Sequence, residues 1–336
     1  MSTYFPIYLI LLFFCLSGTL TAQEKYPAVL TVAQDGSGDY KTIQDAVNSV
    51  RDLGKMEVRI MIKKGIYREK LIVPSWKTNV TLVGEDEAST VITNADYSGK
   101  RNPIGLDQYQ SGKVNTFTSY TVLVQGDNFR AEHLTIENAS GRVGQAVALH
   151  VEADRAVFKN CRLLGNQDTL YAATSSSRQY YQNCYIEGTT DFIFGEATAV
   201  FQSCIIKSLQ NSYITAAATT VGQEFGFVFF DCRLISDPVI NKVFLGRPWR
   251  PFAKTVFIRT EMDGHIAAEG WQAWPGDPMF PNKEKTAYYA EYESRGPGAN
   301  PKGRVGWSKQ LNSLELKKYT IANIFNGNTP WLPKIQ

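Results

Sequence analysis

Histidine is scarce in this 336-residue chain: only His133, His150 and His265 occur, and two of them lie in strand-like segments. There is no Gly-x-Ser-x-Gly elbow and no His-Glu-x-x-His pair, so a serine triad or a zinc hydrolase site has no anchor. No glycine-rich loop opens a helix; Gly36-Ser37-Gly38 is a turn, not a phosphate cradle. Charge of one sign is also in short supply. Lys and Arg number 35 against 32 Asp and Glu, a balance of +3 that gives no footing for a nucleic-acid partner. Long apolar runs are missing after the first residues. Ile7 to Leu16 is too short to span a bilayer, and small residues follow it up to Ala22. It reads as a signal peptide over 1–22, although no Lys or Arg precedes it. The expected mature chain, 23–336, contains no linker or low-complexity stretch and is read as one secreted, monomeric domain without a membrane anchor.

What the chain does contain is a repeat. Phe158-Lys-Asn-Cys161-Arg-Leu, Tyr181-Gln-Asn-Cys184-Tyr-Ile, Phe201-Gln-Ser-Cys204-Ile-Ile and Phe229-Phe-Asp-Cys232-Arg-Leu share one pattern. Each runs aromatic, variable, polar, Cys, variable, aliphatic, with the cysteines 23, 20 and 28 residues apart. Periods of that size mark a solenoid, and alternation inside each unit is strand-like. With no helix-length amphipathic pattern between units, the expected fold is all-β, a parallel β-helix whose coils stack one on the next. Short β-rich segments such as Val58 to Ile62, Val80 to Val83 and Thr255 to Ile258 extend the pattern. Thr42, with Asp45 in the capping-box position and Ile43, Ala46, Val47 and Val50 on one face, predicts a short helix closing the N-terminal end. The cysteines read as a buried ladder of small apolar side chains. If one pair were bridged, Cys184 and Cys204, one short coil apart, would be the choice.

Chemistry without histidine turns attention to carboxylates. Asp168 follows Cys161 by seven residues and Asp191 follows Cys184 by the same interval. Equal offsets on consecutive coils bring both acids to one face, where proximity separates their pKa values. Arg247, in Leu245-Gly-Arg247-Pro-Trp249, can hold one carboxylate in a bidentate fork, and Trp249 offers a flat surface on which a sugar ring can stack. Gln145, one coil earlier, can donate an amide N–H to a developing oxyanion.

Taken together these segments resemble the pectin methylesterase, or pectinesterase, family over roughly Val32 to Pro333. The motifs are Gly65-Ile-Tyr67-Arg-Glu69, the run Gln145 to Leu149, Gly165-Asn-Gln167-Asp168-Thr-Leu170, Asp191-Phe-Ile-Phe-Gly195 and Leu245-Gly-Arg247-Pro-Trp249, in that order. Gly270-Trp271-Gln-Ala-Trp274 and Trp331-Leu-Pro333 look like later landmarks. The resemblance implies a right-handed β-helix with no cofactor and no metal. It implies Asp191 as nucleophile, Asp168 as general acid and then base, Gln145 and Gln167 as the oxyanion hole, and Arg247 as the group orienting Asp191. Trp249 and Trp271 would line a sugar-binding cleft, with Tyr171 and Phe117 as further substrate contacts. The implied partner is methyl-esterified pectin, a homogalacturonan. Thr215-Ala-Ala-Ala-Thr219 and the polar stretch Asp96 to Asn115 depart from the plant members' pattern and suggest a bacterial-type member; no inhibitory segment is expected before the catalytic region. Alternatives are a polygalacturonase, a pectate lyase or a non-catalytic polysaccharide-binding β-helix. The Gly-His-Gly and Arg-Ile-Lys of the first are absent, as is an acidic calcium cluster for the second.

Overall fold

The computed structural model describes residues 26–101, 112–326 and 329–333. The expected signal peptide lies outside these residues, as does part of the polar stretch after Asp96. Each complete coil contributes one strand to each of three parallel sheets, of eleven, eight and seven strands, the end coils adding strands to the larger sheets only, and the strands of every sheet join coils in sequence order. The architecture is a right-handed parallel β-helix.

The Cys repeat explains how a coil is made. Its aromatic position ends a strand of the eleven-strand sheet facing inward, and its aliphatic position opens the eight-strand sheet, also facing inward. Between them the polar residue turns the chain in the left-handed region. Asn160, Asn183, Ser203 and Asp231 have φ of 52°, 53°, 54° and 52°, and His133 occupies the same position at 55°. Asn and Asp tolerate this conformation because their short polar side chains can bond locally. His133 is therefore a turn residue.

Stacking in register then builds the core. The rings of Phe158, Tyr181, Phe201, Phe229 and Phe257 form a column with centroids 4.3–5.0 Å apart and nearly parallel planes. All five are at most 1% exposed. Beside the column runs the cysteine ladder, and here the contingent Cys184–Cys204 bridge is corrected: all four described cysteines are free thiols. Each sulfur instead donates to a carbonyl of the preceding coil, Cys184 to Phe158 at 3.4 Å and Cys204 to Tyr181 at 3.5 Å. In-register side chains point the same way, and a disulfide needs sulfurs that converge.

The N-terminal end is closed by the helix Ile43–Ser49, capped by the Thr42 hydroxyl accepting from the Asp45 N–H. Asp45 does not reach back to the Thr42 main chain; its carboxylate accepts from the Thr42 hydroxyl at 2.6 Å. Glu69 takes over the helix start, accepting from the N–H groups of Ile43 and Gln44 at 2.9 Å each. A carboxylate there satisfies two orphan donors and complements the helix dipole.

The ladder generates a prediction. Reduction with dithiothreitol should leave the melting temperature unchanged, and alkylation of unreduced, denatured protein should label Cys161, Cys184, Cys204 and Cys232. A loss of several degrees on reduction would mean that a bridge stabilises the native fold.

Candidate active site

The outer face of the seven-strand sheet brings together the candidate residues. Leu170 pairs with Ile193 across consecutive coils, so Asp168 and Asp191, each two residues earlier, stand at the same position of neighbouring coils. The Asp168 N–H donates to the Thr190 carbonyl at 3.1 Å and the Asp191 N–H to the Tyr213 carbonyl at 2.8 Å, which locks both residues into the ladder. Both adopt left-handed backbone, φ 66° and 49°, a conformation of order 1 kcal/mol above the alternatives that persists where surrounding structure enforces it. One coil before, Gln145 forms a parallel bridge with Gln167. Neither glutamine side chain has a hydrogen-bond partner among the described residues, so both amides remain free to donate.

Arg247 enters from the next coils. Its Nε donates to Asp191 Oδ1 at 3.0 Å and its Nη2 to Oδ2 at 2.6 Å, the bidentate fork expected from the sequence. The guanidinium lies 4.0 Å from the Tyr213 ring centre and 3.7 Å from that of Trp274. Two ring faces on a partly desolvated cation are worth up to about 2 kcal/mol each and fix its plane.

These contacts separate the two acids. Both aspartates are 5% exposed. Burial pushes Asp168 well above the usual carboxylate range, the Asp191 charge adds to this, and Arg247 opposes it only at a distance. Asp191 is raised too, by burial, and Arg247 opposes that rise by favouring the charged form. The fork and the Lys283 charge hold that rise in check. Of the two, Asp191 is therefore the acid whose charged form the surroundings support, and Asp168 the one whose charged form they disfavour more.

A cavity of about 180 Å³ opens over this group, lined by both aspartates, both glutamines, Arg247, Phe117, Thr116, Phe194, Ala216, Trp249 and Trp274. A larger concavity of about 570 Å³ lies on the eleven-strand sheet among Arg59, Arg130, Glu132 and Trp331, and its two carboxylates, Glu57 and Glu132, are both paired with Arg59. Tyr171 is half-buried beside the cavity. Its ring stacks on Phe194 at 4.6 Å, meets His150 at 4.6 Å and Phe117 at 5.3 Å, and its hydroxyl donates to Glu196 at 3.2 Å. An aromatic stripe thus runs from Trp249 through Phe194 and Tyr171 to His150 and Tyr120.

The placement of Trp271 is a correction. It is 1% exposed and packs inside the coil against Tyr289 at 4.4 Å and Phe257 at 5.8 Å, because its main chain bridges Gly246 and its ring continues the internal column. Trp274, whose backbone turns at φ 59°, lines the cavity instead. Sequence reasoning also passed over Tyr213, whose hydroxyl donates to Gln272, as the second ring on Arg247. Only the alternation of its strand marked it. Among the described residues no cluster of three or more His, Cys, Asp or Glu could hold a metal, and no helix is long and apolar enough to cross a membrane.

Comparison with known proteins follows this geometry. The chain is 40% identical over 320 residues to the probable pectinesterase/pectinesterase inhibitor 23 of Arabidopsis thaliana, covering 91% of this chain and 53% of that protein. It is 37% identical over 311 residues to pectinesterase 31 of the same plant, covering 90% and 95%. The chain therefore spans about half the length of several curated relatives it matches. Among solved structures, pectin methylesterase from carrot superposes with a TM-score of 0.79 at 35% identity over 89% of this chain and 93% of that one. Pectin methylesterase PemA from Erwinia chrysanthemi gives 0.76 at 31% identity over 90% and 98%. The bacterial-type expectation gains no support, since these curated relatives are plant proteins. A family model described as pectinesterase matches residues 29–328, and the chain belongs to the pectinesterase family.

Proposed function

We propose that the protein is a secreted pectin methylesterase that removes methyl groups from esterified galacturonate units, with Asp191 and Asp168 as its two working acids. The observation that carries this reading is the Arg247 fork on Asp191 beside a buried Asp168 in the same position of the neighbouring coil, where burial and the Asp191 charge both push the Asp168 carboxyl up. A related pectin methylesterase, 31% identical, has been solved in complex with a hexasaccharide, in keeping with an oligosaccharide in such a cleft.

The chemistry follows from the two charge states. The Asp191 carboxylate attacks the ester carbonyl carbon, and the carbonyl oxygen becomes an oxyanion within reach of the Gln145 and Gln167 amides. As the C–O bond to the methoxy group breaks, Asp168 gives that oxygen its proton and methanol leaves. The resulting anhydride on Asp191 is opened by water, whose proton Asp168, now a carboxylate, accepts. The products are a free galacturonate carboxyl and regenerated Asp191. Trp249, Phe194 and Phe117 supply the apolar surface for sugar rings and a methyl group.

Purified protein should release methanol from methylated pectin and acidify the medium without shortening the polymer. Folded protein that produces reducing ends or unsaturated ends but no methanol would favour the hydrolase or lyase alternatives. Asp191→Asn keeps the shape and removes the attacking charge, so kcat should fall by about 10³-fold or more while pectin still binds; near wild-type turnover would remove Asp191 from the nucleophile's role.

The pH profile tests the fork. Attack requires Asp191 ionised and methanol departure requires Asp168 protonated, so kcat/KM should be bell-shaped, with limits belonging to the pair. Removing the guanidinium takes away what restrains the rise of Asp191, so in Arg247→Gln the acidic limb should move to higher pH. An unmoved acidic limb in an active Arg247→Gln variant would refute the pairing. Arg247→Lys should also be damaging, since an ammonium cannot reproduce the fork.

A further inference from the structure

Lys283 lies outside every motif of the sequence, yet it is a charged side chain with none of its surface exposed, directly behind the cleft. Its ammonium makes three contacts. It donates to Asp277 Oδ2 at 2.7 Å and to the Trp249 carbonyl at 3.2 Å, and it lies 4.5 Å from the centre of the Trp274 ring. Both tryptophans line the cavity, and Trp274 is also one of the two rings on the Arg247 guanidinium. Trp274 needs holding, because its left-handed backbone is unfavourable for a bulky residue. The segment following it has little else to fix its shape. Asp277 turns it by accepting from the N–H groups of Met279 and Phe280 at 3.0 and 3.3 Å, and Phe280 meets the Arg250 guanidinium that covers Trp249.

We propose that Lys283 is a positioning residue of the cleft: its buried ammonium ties the Trp249 main chain to the Trp274 ring and so keeps Trp274 on Arg247. It has a second consequence through space. The groups facing Asp191 are Asp168, Arg247, the buried Tyr289 and, farther off, Lys283, whose positive charge favours the Asp191 anion. Burial lowers Lys283 from the usual lysine value; of the groups facing it, Asp277 opposes that shift and the like charges of Arg250 and Arg247 add to it. Lys283 thus acts on the nucleophile by geometry, through Trp274 and Arg247, and by charge. The inference rests on Asp191 being the nucleophile.

Lys283→Met keeps the length of the stem and removes the ammonium, leaving Asp277 partly open to solvent at 18% exposure. Relative to wild type, kcat/KM on methylated pectin should fall about tenfold, and its acidic limb should rise by roughly half a pH unit as Asp191 loses a favouring charge. Asp277→Asn removes the ion-pair partner but keeps the ammonium, so KM should rise several-fold while the acidic limb stays or moves down. Equal losses in both variants with unmoved limbs would mean that the pair only braces the loop, and would overturn the proposal. So would wild-type kinetics in Lys283→Met. If circular dichroism shows Lys283→Met unfolded, the Asp277→Asn limb decides: an upward shift there contradicts the proposal. Acrylamide quenching of tryptophan fluorescence separates this inference from the reading beneath it. Quenching should increase in folded Lys283→Met whether or not the wild type releases methanol, and unchanged quenching would sever the tie to the two tryptophans.

Discussion

Backbone hydrogen bonds between successive coils are the constraint on which the rest of the structure depends. A parallel ladder admits only in-register neighbours, so whatever stands at one offset in a coil meets the same offset in the next. Applied to the repeat, that rule produces the aromatic column, the cysteine ladder and the row of left-handed turn residues. Applied seven residues past each cysteine, it sets Asp168 beside Asp191. The same rule that packs the core thus brings together two acids that would repel each other if both were ionised. Burial and the neighbouring charge push Asp168 toward its neutral form, which limits the cost: desolvating a lone buried carboxylate is expensive, and protonation removes that term.

What the ladder fixes was legible in the sequence, and what loops fix was not. The coil pattern, the N-terminal helix with Thr42 as its cap and the two aspartates follow from offsets within repeats or from local capping rules, whereas Gln145 and the Arg247 fork were legible from side-chain chemistry and the family resemblance. Trp271 shows where the reasoning stops. A tryptophan in a sugar-enzyme motif invites assignment to the cleft, but its main chain bridges Gly246, and its ring joins the internal column. The cleft position falls to Trp274, three residues on, after an irregular turn that no periodicity announces. Lys283 is still less legible: a lysine in a loop reads as solvent-exposed, and only the folded segment shows it sealed against Trp249 and Trp274. The disulfide alternative failed for a reason contained in the fold itself, since a ladder that aligns sulfurs also keeps them parallel.

The site's electrostatics show why a second layer of residues matters. Arg247 restrains Asp191 only while its plane is fixed, because a rotated guanidinium would lose one of its two hydrogen bonds and the direction of the other. The ladder fixes that plane from one side only. Tyr213 on a strand and Trp274 on a loop do so from two rings, one rigid by register and one held by a buried cation. Breaking a buried ion pair by removing one partner typically costs about 3–5 kcal/mol, which is far more than any single ring contact contributes. The rings therefore act less by adding binding energy to the fork than by leaving it one geometry. In that geometry the Asp191 carboxylate lines the cavity with a guanidinium behind it, and Asp168, also lining the cavity, has no cation of its own, so burial and the neighbouring Asp191 charge disfavour its ionised form.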